Sequence, residues 1–498
     1  MKIPITGPAY DSGITSYNQQ KCINWYTEGD GTADTSPARW PYILRPTPGI
    51  VEGTDFGDFT SGRASIVFRD IGYVILDNTF ASVEETGVPS YIDILDTSEG
   101  AVSITGGSDG IIMADGTSAY FYSLTTNTFS KITDGDLPAN PTYGGYLDGY
   151  YILIFANSEK VYYSLDATSW DALDFASANT TADYLTACLG DHEELWLFGT
   201  ATTEVWGTTG DANAPILRRP GVLITKGCRA PNTIVAMDST IYFMATDPAG
   251  GNTVLKMDGY SPKTISTDAI NYQISTYTTT SDAYAFCHRL GRHEFYVLTF
   301  PTENVTWVYD ASTNHWHQRT SIITLDPTDA DYEPLLKAHR AKNHFYVYDT
   351  HWVLDQYTGA ISYYDIDTYT EYDMPIYRQR RTSLMSTDYN PMAMVPRIQD
   401  HDNKLHSYYN LVLEMEPGIG TVSGQGSDPI VSLSTSPDGG HTWETQEDGH
   451  IGALGVYDEP IRWDMLGQAR NLVLDFTISD PVNAVILGAT VDVEKNLN

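Results

Sequence analysis

The sequence has few cysteines and no long apolar run. Its 498 residues include four cysteines, Cys22, Cys188, Cys228 and Cys287, and no Cys-x-x-Cys pair. Isolated thiols of this kind predict buried, free cysteines in a reducing compartment rather than a disulfide framework or a zinc site. No stretch of about 18 apolar residues occurs, so we expect no insertion into a membrane.

Basic residues are also scarce, with 28 against 64 acidic residues and a formal net charge of −36. Nucleic-acid-binding proteins use Lys and Arg to displace counterions from phosphate, so this balance argues against tight DNA binding. The first residues, Met1-Lys-Ile-Pro-Ile-Thr-Gly-Pro, lack the apolar core of a secretory signal, and we expect assembly in the cytoplasm.

What the sequence does have is tyrosine, 35 residues of it, with many Thr, Gly and Asp, which favours an all-β protein rich in turns. Apolar strand starts recur near Ile66, Ile111, Tyr151, Leu195, Ile241, Phe295 and Phe345. A spacing of roughly 40–50 residues filled with short strands is typical of β-propeller blades. The first unit is the weakest, so we predict six or seven blades. Two packed sandwiches are the alternative.

These features divide the chain into four predicted parts. Residues 1–60 have little periodicity and form an extended N-terminal arm that lies on this chain or on another subunit. Residues 61–375 form the propeller, with Trp196, Trp206, Trp307 and Trp352 buried between blades. Residues 376–407 are a connector, and the alternating strands of residues 408–498 predict a C-terminal β-sandwich-like domain.

The C-terminal part contains an Asp-box, Ser-x-Asp-x-Gly-x-Thr-Trp. Its residues are Ser436, Asp438, Gly440, Thr442 and Trp443. In such a turn the Ser and Asp side chains bind backbone N–H groups and the Trp packs below, so we predict a structural role. Residues 164–170 are a degraded relative.

Clusters of charge give weaker candidates. Arg378, Arg380 and Arg381 form the densest basic cluster, which either contacts an acidic neighbouring subunit or is ordinary surface charge. Acidic residues crowd two loops, at Asp326, Asp329, Asp331 and Glu333, and at Asp365 and Asp367. His315 and His317 could share one strand face, but a metal site needs three or four converging groups, so we predict no metal site.

Several blocks of the sequence together resemble the packaged-DNA stabilisation proteins, or tail hubs (nozzles), of short-tailed bacteriophages (podoviruses). The blocks are residues 22–28 with 47–50, 170–178, 203–206, 259–262 with 265–267, 306–310 with 316, 436–443 and 462–470. None is a catalytic signature.

The resemblance implies a structural virion protein of the tail, assembled in the bacterial host cytoplasm, and not an enzyme. It further implies a homo-hexamer below the portal and its adaptor ring, the head-to-tail connector. There the hexamer would continue the DNA channel, retain packaged DNA and carry the tail tip, needle or fibre proteins. No catalytic residue, cofactor or metal is implied. With the charge of −36, we expect an acidic lumen that passes double-stranded DNA without binding it tightly, and the two acidic loops are candidates for its lining.

The alternative is a receptor-binding or glycan-hydrolysing tail protein, because an Asp-box with a propeller is also found in sialidases. That chemistry requires an arginine cluster and an acid or tyrosine nucleophile at the propeller centre. Arg289, Arg292, Arg319 and Arg340 could supply arginines, but no spacing distinguishes them. Fold alone does not give function.

Overall fold

The structure is a computed structural model. It describes residues 1–14, 18–29, 40–53, 59–178, 180–181, 183–211, 214–247, 250–323, 335–385 and 405–495. Within these ranges no helix is long and apolar enough to cross a membrane.

Seven short strands open the chain. They are β1 (Lys2–Ile3), β2 (Tyr10–Asp11), β3 (Gln19–Gln20), β4 (Cys22–Ile23), β5 (Trp25–Gly29), β6 (Tyr42–Pro46) and β7 (Gly49–Val51). We call β1 to β7 together the N-terminal strap.

Six antiparallel blades of four strands follow, each made of strands that are consecutive in sequence; five are separate sheets, and the sixth is part of a larger sheet. Blade 1 has β8 (Gly62–Phe68), β9 (Ile71–Leu76), β10 (Thr79–Val83) and β11 (Pro89–Ile94), and blade 2 has β12 (Ser103–Gly106), β13 (Gly110–Ala114), β14 (Ala119–Ser123) and β15 (Thr128–Lys131). Blade 3 has β16 (Pro141–Leu147), β17 (Tyr150–Phe155), β18 (Lys160–Ser164) and β19 (Phe175–Ser177), and blade 4 has β20 (Leu185–Asp191), β21 (Glu194–Gly199), β22 (Thr203–Thr208) and β23 (Ile216–Ile224). After a 3₁₀ turn (Pro231–Thr233), blade 5 has β24 (Val235–Met237), β25 (Thr240–Thr246), β26 (Asn252–Asp258) and β27 (Ser261–Thr264). Helix α1 (Asp268–Thr276) leads to blade 6, with β28 (Tyr284–Leu290), β29 (His293–Phe300), β30 (Val305–Asp310) and β31 (His315–Ile323).

A seventh sheet closes the ring and takes its outer strand from the strap. After β32 (Leu335–Ala338), which pairs with β31, blade 7 has β33 (Ala341–Val347), β34 (Thr350–Asp355) and β35 (Ile361–Asp365). Its fourth strand is β7, antiparallel to β35, with β36 (Thr370–Glu371) and β37 (Met374–Pro375) beyond it. Six blades of consecutive strands and one completed by the strap therefore make the propeller.

Apolar side chains fill each of the seven interfaces between neighbouring blades. The ring closes where Val74 and Leu76 of blade 1 pack with Phe345 and Leu354 of blade 7. The four tryptophans expected between blades, Trp196, Trp206, Trp307 and Trp352, are all buried in these interfaces. The prediction of a single propeller, rather than two packed sandwiches, is therefore confirmed.

Tight turns fix the register of the blades. In the turn between β20 and β21, both central residues, His192 and Glu193, have positive φ, as do Tyr348 and Asp349 between β33 and β34. Two-residue turns of this type match the right-handed twist of the strands they join. The hairpins between the first two strands of blades 1, 3, 4, 5 and 7 share this turn, whereas those of blades 2 and 6 do not.

The remaining strands complete a two-sheet sandwich. They are β38 (Arg378–Arg381), β39 (His406–Met415), β40 (Ile430–Ser436), β41 (Glu447–His450), β42 (Ile461–Trp463), β43 (Gly467–Ala469), β44 (Val473–Ile478) and β45 (Ile486–Lys495). One sheet contains β1, β5, β6, β39, β42, β43 and β45, and the other runs β4-β38-β44-β40-β41. Trp25, Leu411, Leu433 and Phe476 are among the buried residues of the shared core.

The strap joins the sandwich to the propeller. Strand β4 lies between β31 of blade 6 and β38 of the sandwich, so one ten-stranded sheet runs through both domains. In the other sheet of the sandwich, β1 pairs with β45, and the ammonium group of Met1 donates a hydrogen bond to Val491 O at 2.6 Å. The N-terminal residues therefore pack on their own chain.

Candidate functional site

The Asp-box closes a tight turn after β40. Ser436 Oγ donates to Asp438 Oδ1 and accepts from Gly440 N, both at 2.8 Å. The backbone N–H groups of His441 and Thr442 donate to Asp438 Oδ1 at 3.0 and 2.8 Å, and Thr442 Oγ1 donates to Oδ2 at 2.7 Å. The bonds from Thr442 in particular hold the pKa of Asp438 well below its ordinary value. The carboxylate therefore remains ionised and serves as the acceptor that shapes the turn.

Trp443, at the end of the motif, faces the domain interior and is half-buried. The guanidinium carbon of Arg381 lies 4.4 Å from the centre of its ring. Arg381 also donates through Nη2 to Asp475 Oδ2 at 2.6 Å. The Asp-box is thereby connected to β38 and β44 rather than to an open cavity.

The basic cluster on β38 requires a correction, because Arg378 and Arg380 are not surface residues. Both are completely buried. Arg380 Nε donates to Ile5 O at 2.6 Å, and its Nη1 donates to Pro8 O and Lys21 O at 3.2 and 3.1 Å. A side chain without exposed surface cannot reach a neighbouring subunit, so the density of charge in sequence marks an internal anchor for the strap.

Arg378 is held by the sandwich in the same way. Its Nη1 donates to Asp480 O at 3.1 Å, and its guanidinium lies 5.9 Å from the ring of Tyr369. Burial lowers the pKa of Arg378 to about 10, which still leaves it charged at neutral pH.

Of the two acidic loops, one lies outside the described residues: Asp326, Asp329, Asp331 and Glu333 all fall between residues 324 and 334. In the other, Asp365 accepts from Asp367 N at 3.0 Å and from Thr368 Oγ1 at 2.8 Å. Asp365 therefore caps its own turn at the end of β35, while the Asp367 side chain is exposed.

The paired histidines of β31 have separate surroundings. His315 Nδ1 lies 2.7 Å from Thr27 Oγ1, whereas His317 packs against Tyr26 and Phe295. Within the described ranges, no three His, Cys, Asp or Glu side chains are arranged to hold a metal ion. All four cysteines are free, and Cys22, Cys188 and Cys228 are buried as predicted, whereas Cys287 is only partly buried. Burial raises the pKa of Cys22 to about 11.

A cleft lies where strap, propeller and sandwich meet, and we call it the junction cleft. It has a volume of about 870 Å³. Its described lining is Tyr26, Glu28, Gly29, Tyr42, Arg45, Pro46, Pro48, Leu290, Gly291, Arg292, His293, Ser312, Thr313, Asn314, Ile366, Asp367, Tyr369 and Asn483. Glu28 and Arg45 form an ion pair across the β5–β6 hairpin.

One histidine–carboxylate pair borders this cleft. His293 Nδ1 lies 2.7 Å from Asp310 Oδ2. The nearby hydroxyls are directed elsewhere, since Ser312 Oγ donates to Arg292 O at 2.8 Å and Thr313 Oγ1 donates to Asp310 at 2.9 Å. The pair therefore closes the β30–β31 turn and is not part of a nucleophile–base arrangement.

A buried cluster of basic side chains lies between blades 6 and 7. Arg319 is 1% exposed, and its Nη1 is 3.4 Å from His288 Nε2. Its guanidinium carbon is 5.0 Å from the ring of Phe295 and 6.0 Å from that of Tyr364. Burial, together with the positive charge of Arg319, holds the pKa of His288 and His317 well below the ordinary value. Both imidazoles are therefore neutral at neutral pH.

The arginines considered for a sialidase-like centre do not converge. Arg319 and Arg340 are buried, and Arg340 Nε donates to Asp355 Oδ2 at 2.5 Å. Arg289 is exposed and pairs with Glu294, and Arg292 alone of the four borders the junction cleft. Two of the four are thus buried, and the other two are separate in their surroundings.

Comparison with protein families identifies a model described as "Bacteriophage P22 Gp10, beta-propeller", which matches residues 1–369. The chain belongs to this phage packaged-DNA stabilisation family. The match covers the strap, all six blades of consecutive strands and nearly all of blade 7. The family is one of phage structural proteins, and this member is accordingly a structural protein of the virion.

Matches to solved structures are remote and carry no argument about fold or function. The computationally designed Ika8 protein is 9% identical, with 64% of this chain and 100% of that chain covered and a TM-score of 0.37. The Pan2 WD40 domain of Neurospora crassa is 8% identical, with 64% and 95% covered and a TM-score of 0.39. At these values neither supports an argument about function. A search of curated proteins gives no match.

For this family member, sequence reasoning missed the junction cleft and the strap anchor, although it had marked some of their residues. Blocks 22–28 and 47–50 carried the resemblance, and the structure places their residues on β4, β5 and β7. The signal was present as a run of aromatic and Pro residues in a segment without periodicity. The sequence does not show which distant strands these residues pair with, and that pairing gives them their role.

Proposed function

We propose that six copies of this protein form the tail hub of a short-tailed phage, below the portal and its adaptor ring. There the hub continues the DNA channel, retains packaged DNA and carries the tail tip, needle or fibre proteins. The observation that supports this proposal is the family match over residues 1–369, since it includes both the strap and the propeller.

The rigidity of the chain suits such a position. A subunit between a portal and a tail tip transmits force between two partners, so its domains must not move independently. Here β4 pairs with β31 on one side and with β38 on the other. Arg380 then fixes the residues before β4 through Ile5, Pro8 and Lys21.

The charge suits a channel through which DNA slides. Six copies would carry a formal charge of −216 (6 × −36). Basic walls would bind the phosphate backbone with strong salt dependence, whereas acidic walls repel it over a screening length of about 8–10 Å. We propose that acidic residues, with exposed Asp367 as one candidate, line part of the lumen. If the acidic residues serve only to keep the outer surface soluble, they will be absent from the channel wall.

Cryo-electron microscopy and mass photometry of the purified protein test the hub directly. We expect hexameric rings in the absence of carbohydrate, with carboxylates prevailing over Lys and Arg on the channel wall. We also expect no retention of duplex DNA on the ring at physiological salt. Monomers at every concentration would contradict the ring, and a basic channel or salt-resistant DNA binding would contradict the acidic lumen. Binding or cleavage of cell-surface glycans would support the receptor protein instead.

A further inference from the structure

The outer strand of blade 4, β23, is unusual among the propeller's outer strands. It is nine residues long and lies at the edge of its sheet, whereas the other uncovered outer strands, β11, β15, β19 and β27, have three to six residues. Blade 6 has an equally long outer strand, β31, but β4 and β32 cover it. Long exposed edges offer unpaired backbone groups to other chains, and proteins usually shorten or cover them.

Strand β23 also bulges away from the blade. Arg218 pairs with Trp206, and Leu223 pairs with Glu204. Between these two pairs β23 advances by five residues, whereas β22 advances by two. The excess residues include Pro220, which has no N–H to donate, and Gly221, whose φ of +79° suits glycine. We call residues 217–223 the blade-4 bulge.

The blade-4 bulge combines exposed apolar and basic side chains. Leu217 is 53% exposed and Leu223 is 38% exposed, and the Arg219 side chain is 49% exposed. Residues 216–230 contain four basic residues, Arg218, Arg219, Lys226 and Arg229, and no acidic one. In a chain with 64 acidic and 28 basic residues, this segment has the opposite charge to the chain as a whole, although Glu194 and Asp247 pair with Arg219 and Lys226.

We infer that the blade-4 bulge is a contact between subunits, and that it docks on an acidic surface of a second copy of this chain. This inference rests on the proposed hexameric ring and identifies one of the surfaces through which its subunits contact each other. Charge complementarity favours a second copy, because each copy carries a net charge of −36. Exposed Leu217 and Leu223 favour protein over DNA, because phosphates leave apolar side chains without a partner.

The contact is head-to-tail. Two blade-4 bulges facing each other across a two-fold axis would bring like charges together, whereas a heterologous contact joins two different surfaces and can close a ring. The existing partners do not prevent it. Arg219 Nε lies 3.0 Å from Glu194 Oε1, and the Tyr260 hydroxyl also donates to this carboxylate at 2.6 Å. Because Glu194 keeps that second partner and the Arg219 side chain is 49% exposed, Arg219 can exchange Glu194 for a carboxylate of the neighbour.

Mass photometry of the full-length protein over a range of concentrations tests this surface. The test variant is Leu217→Ser with Arg219→Glu. Two controls match its side chains on neighbouring blades: Leu173→Ser, at a residue that is 81% exposed on blade 3, and Lys263→Glu, at an exposed residue of β27. Circular dichroism and the melting midpoint establish that each variant is folded.

We expect at least about tenfold weaker assembly for the test variant and wild-type assembly for both controls, as for a contact residue at an interface centre. If the test variant assembles like the wild type, the blade-4 bulge is not a contact between subunits, and the proposed ring is unaffected. A wild type that remains monomeric throughout would overturn the ring and the bulge together. Unchanged assembly with a loss of low-salt duplex binding would reassign the surface to nucleic acid.

Discussion

Replacing Arg380 with methionine tests whether the strap is held by one buried side chain. Methionine fills similar volume but donates no hydrogen bond. The change removes one donor from each of three backbone carbonyls, of Ile5, Pro8 and Lys21, and from the Gln20 side-chain oxygen. Of these, Lys21 O keeps the backbone N–H of Arg381 as a donor at 3.0 Å. Arg380 and Ile5 are completely buried, so water does not replace the donor at Ile5 O, whereas the half-buried Pro8, Gln20 and Lys21 can regain part of their bonding from water.

The magnitude follows from two opposing contributions. Four bonds from a charged donor contribute about 1 kcal/mol or more each, and a buried acceptor left unsatisfied costs about 1–3 kcal/mol. Removing a buried charge recovers part of its desolvation cost. We therefore expect Arg380→Met to reduce the free energy of unfolding by about 2–4 kcal/mol. The free energy of unfolding of Arg380→Lys should lie between those of the wild type and Arg380→Met, since one ammonium group cannot reach carbonyls in several directions.

Guanidinium unfolding measures the change in stability, and limited proteolysis with N-terminal sequencing locates it. We expect cleavage before β4 at protease concentrations that leave the wild type intact. Arg462→Met is the matched control, because the exposed Arg462 side chain pairs with exposed Asp464 and its loss should cost no more than about 0.5 kcal/mol. An Arg380→Met protein as stable and as protease-resistant as the control would refute the anchor.

Three further results are expected. The pKa values of His288 and His317 are low in the folded state, so these groups take up protons mainly on unfolding. The free energy of unfolding is therefore retained above about pH 6.5 and falls below it by up to about 1.4 kcal/mol per pH unit for each histidine. For His288→Phe, guanidinium titrations between pH 7 and 5 should show a shallower dependence of this free energy on pH. Trp352→Ala should lower the unfolding free energy by about 3–5 kcal/mol, because this 4% exposed side chain fills the interface that closes the ring, whereas Leu173→Ala should have little effect. Asp438→Ala should lower the melting midpoint more than Asp438→Asn, which retains one acceptor oxygen for the backbone N–H groups of residues 441 and 442; equal midpoints would contradict the role of this carboxylate.

The propeller could be predicted because each blade is encoded locally. A strand, a short turn and an aromatic strand fall within about 15 residues, as in the segment from Leu195 to Trp206, so their period is visible in sequence. The tryptophans of the blade interfaces follow from the same pattern. The Asp-box turn is local too, since its hydrogen bonds join residues no more than four positions apart.

The strap could not be predicted in detail because its strands are short and their partners are remote. Gly49 pairs with Asp365, and Lys2 pairs with Thr490, across most of the chain. Two or three residues cannot show a period of two. The arginines of β38 illustrate the same limit: three basic residues within four positions suggest surface charge, and only the carbonyls brought to Arg380 by the strap make burial favourable.

This long-range closure has a consequence for how the subunit becomes competent to assemble. Blade 7 is complete only when β7 pairs with β35, and the edge strand β1 has no partner until β45, at the other end of the chain, is in place. Contacts of such high sequence separation form late, because the loop entropy must be paid before they stabilise anything. Five blades, β8 to β27, depend on no strap strand and can form first. The strap then fixes blades 6 and 7 to the sandwich in one late step. A subunit therefore acquires a rigid junction only after its whole chain is made, and we expect ring formation to follow that step rather than precede it.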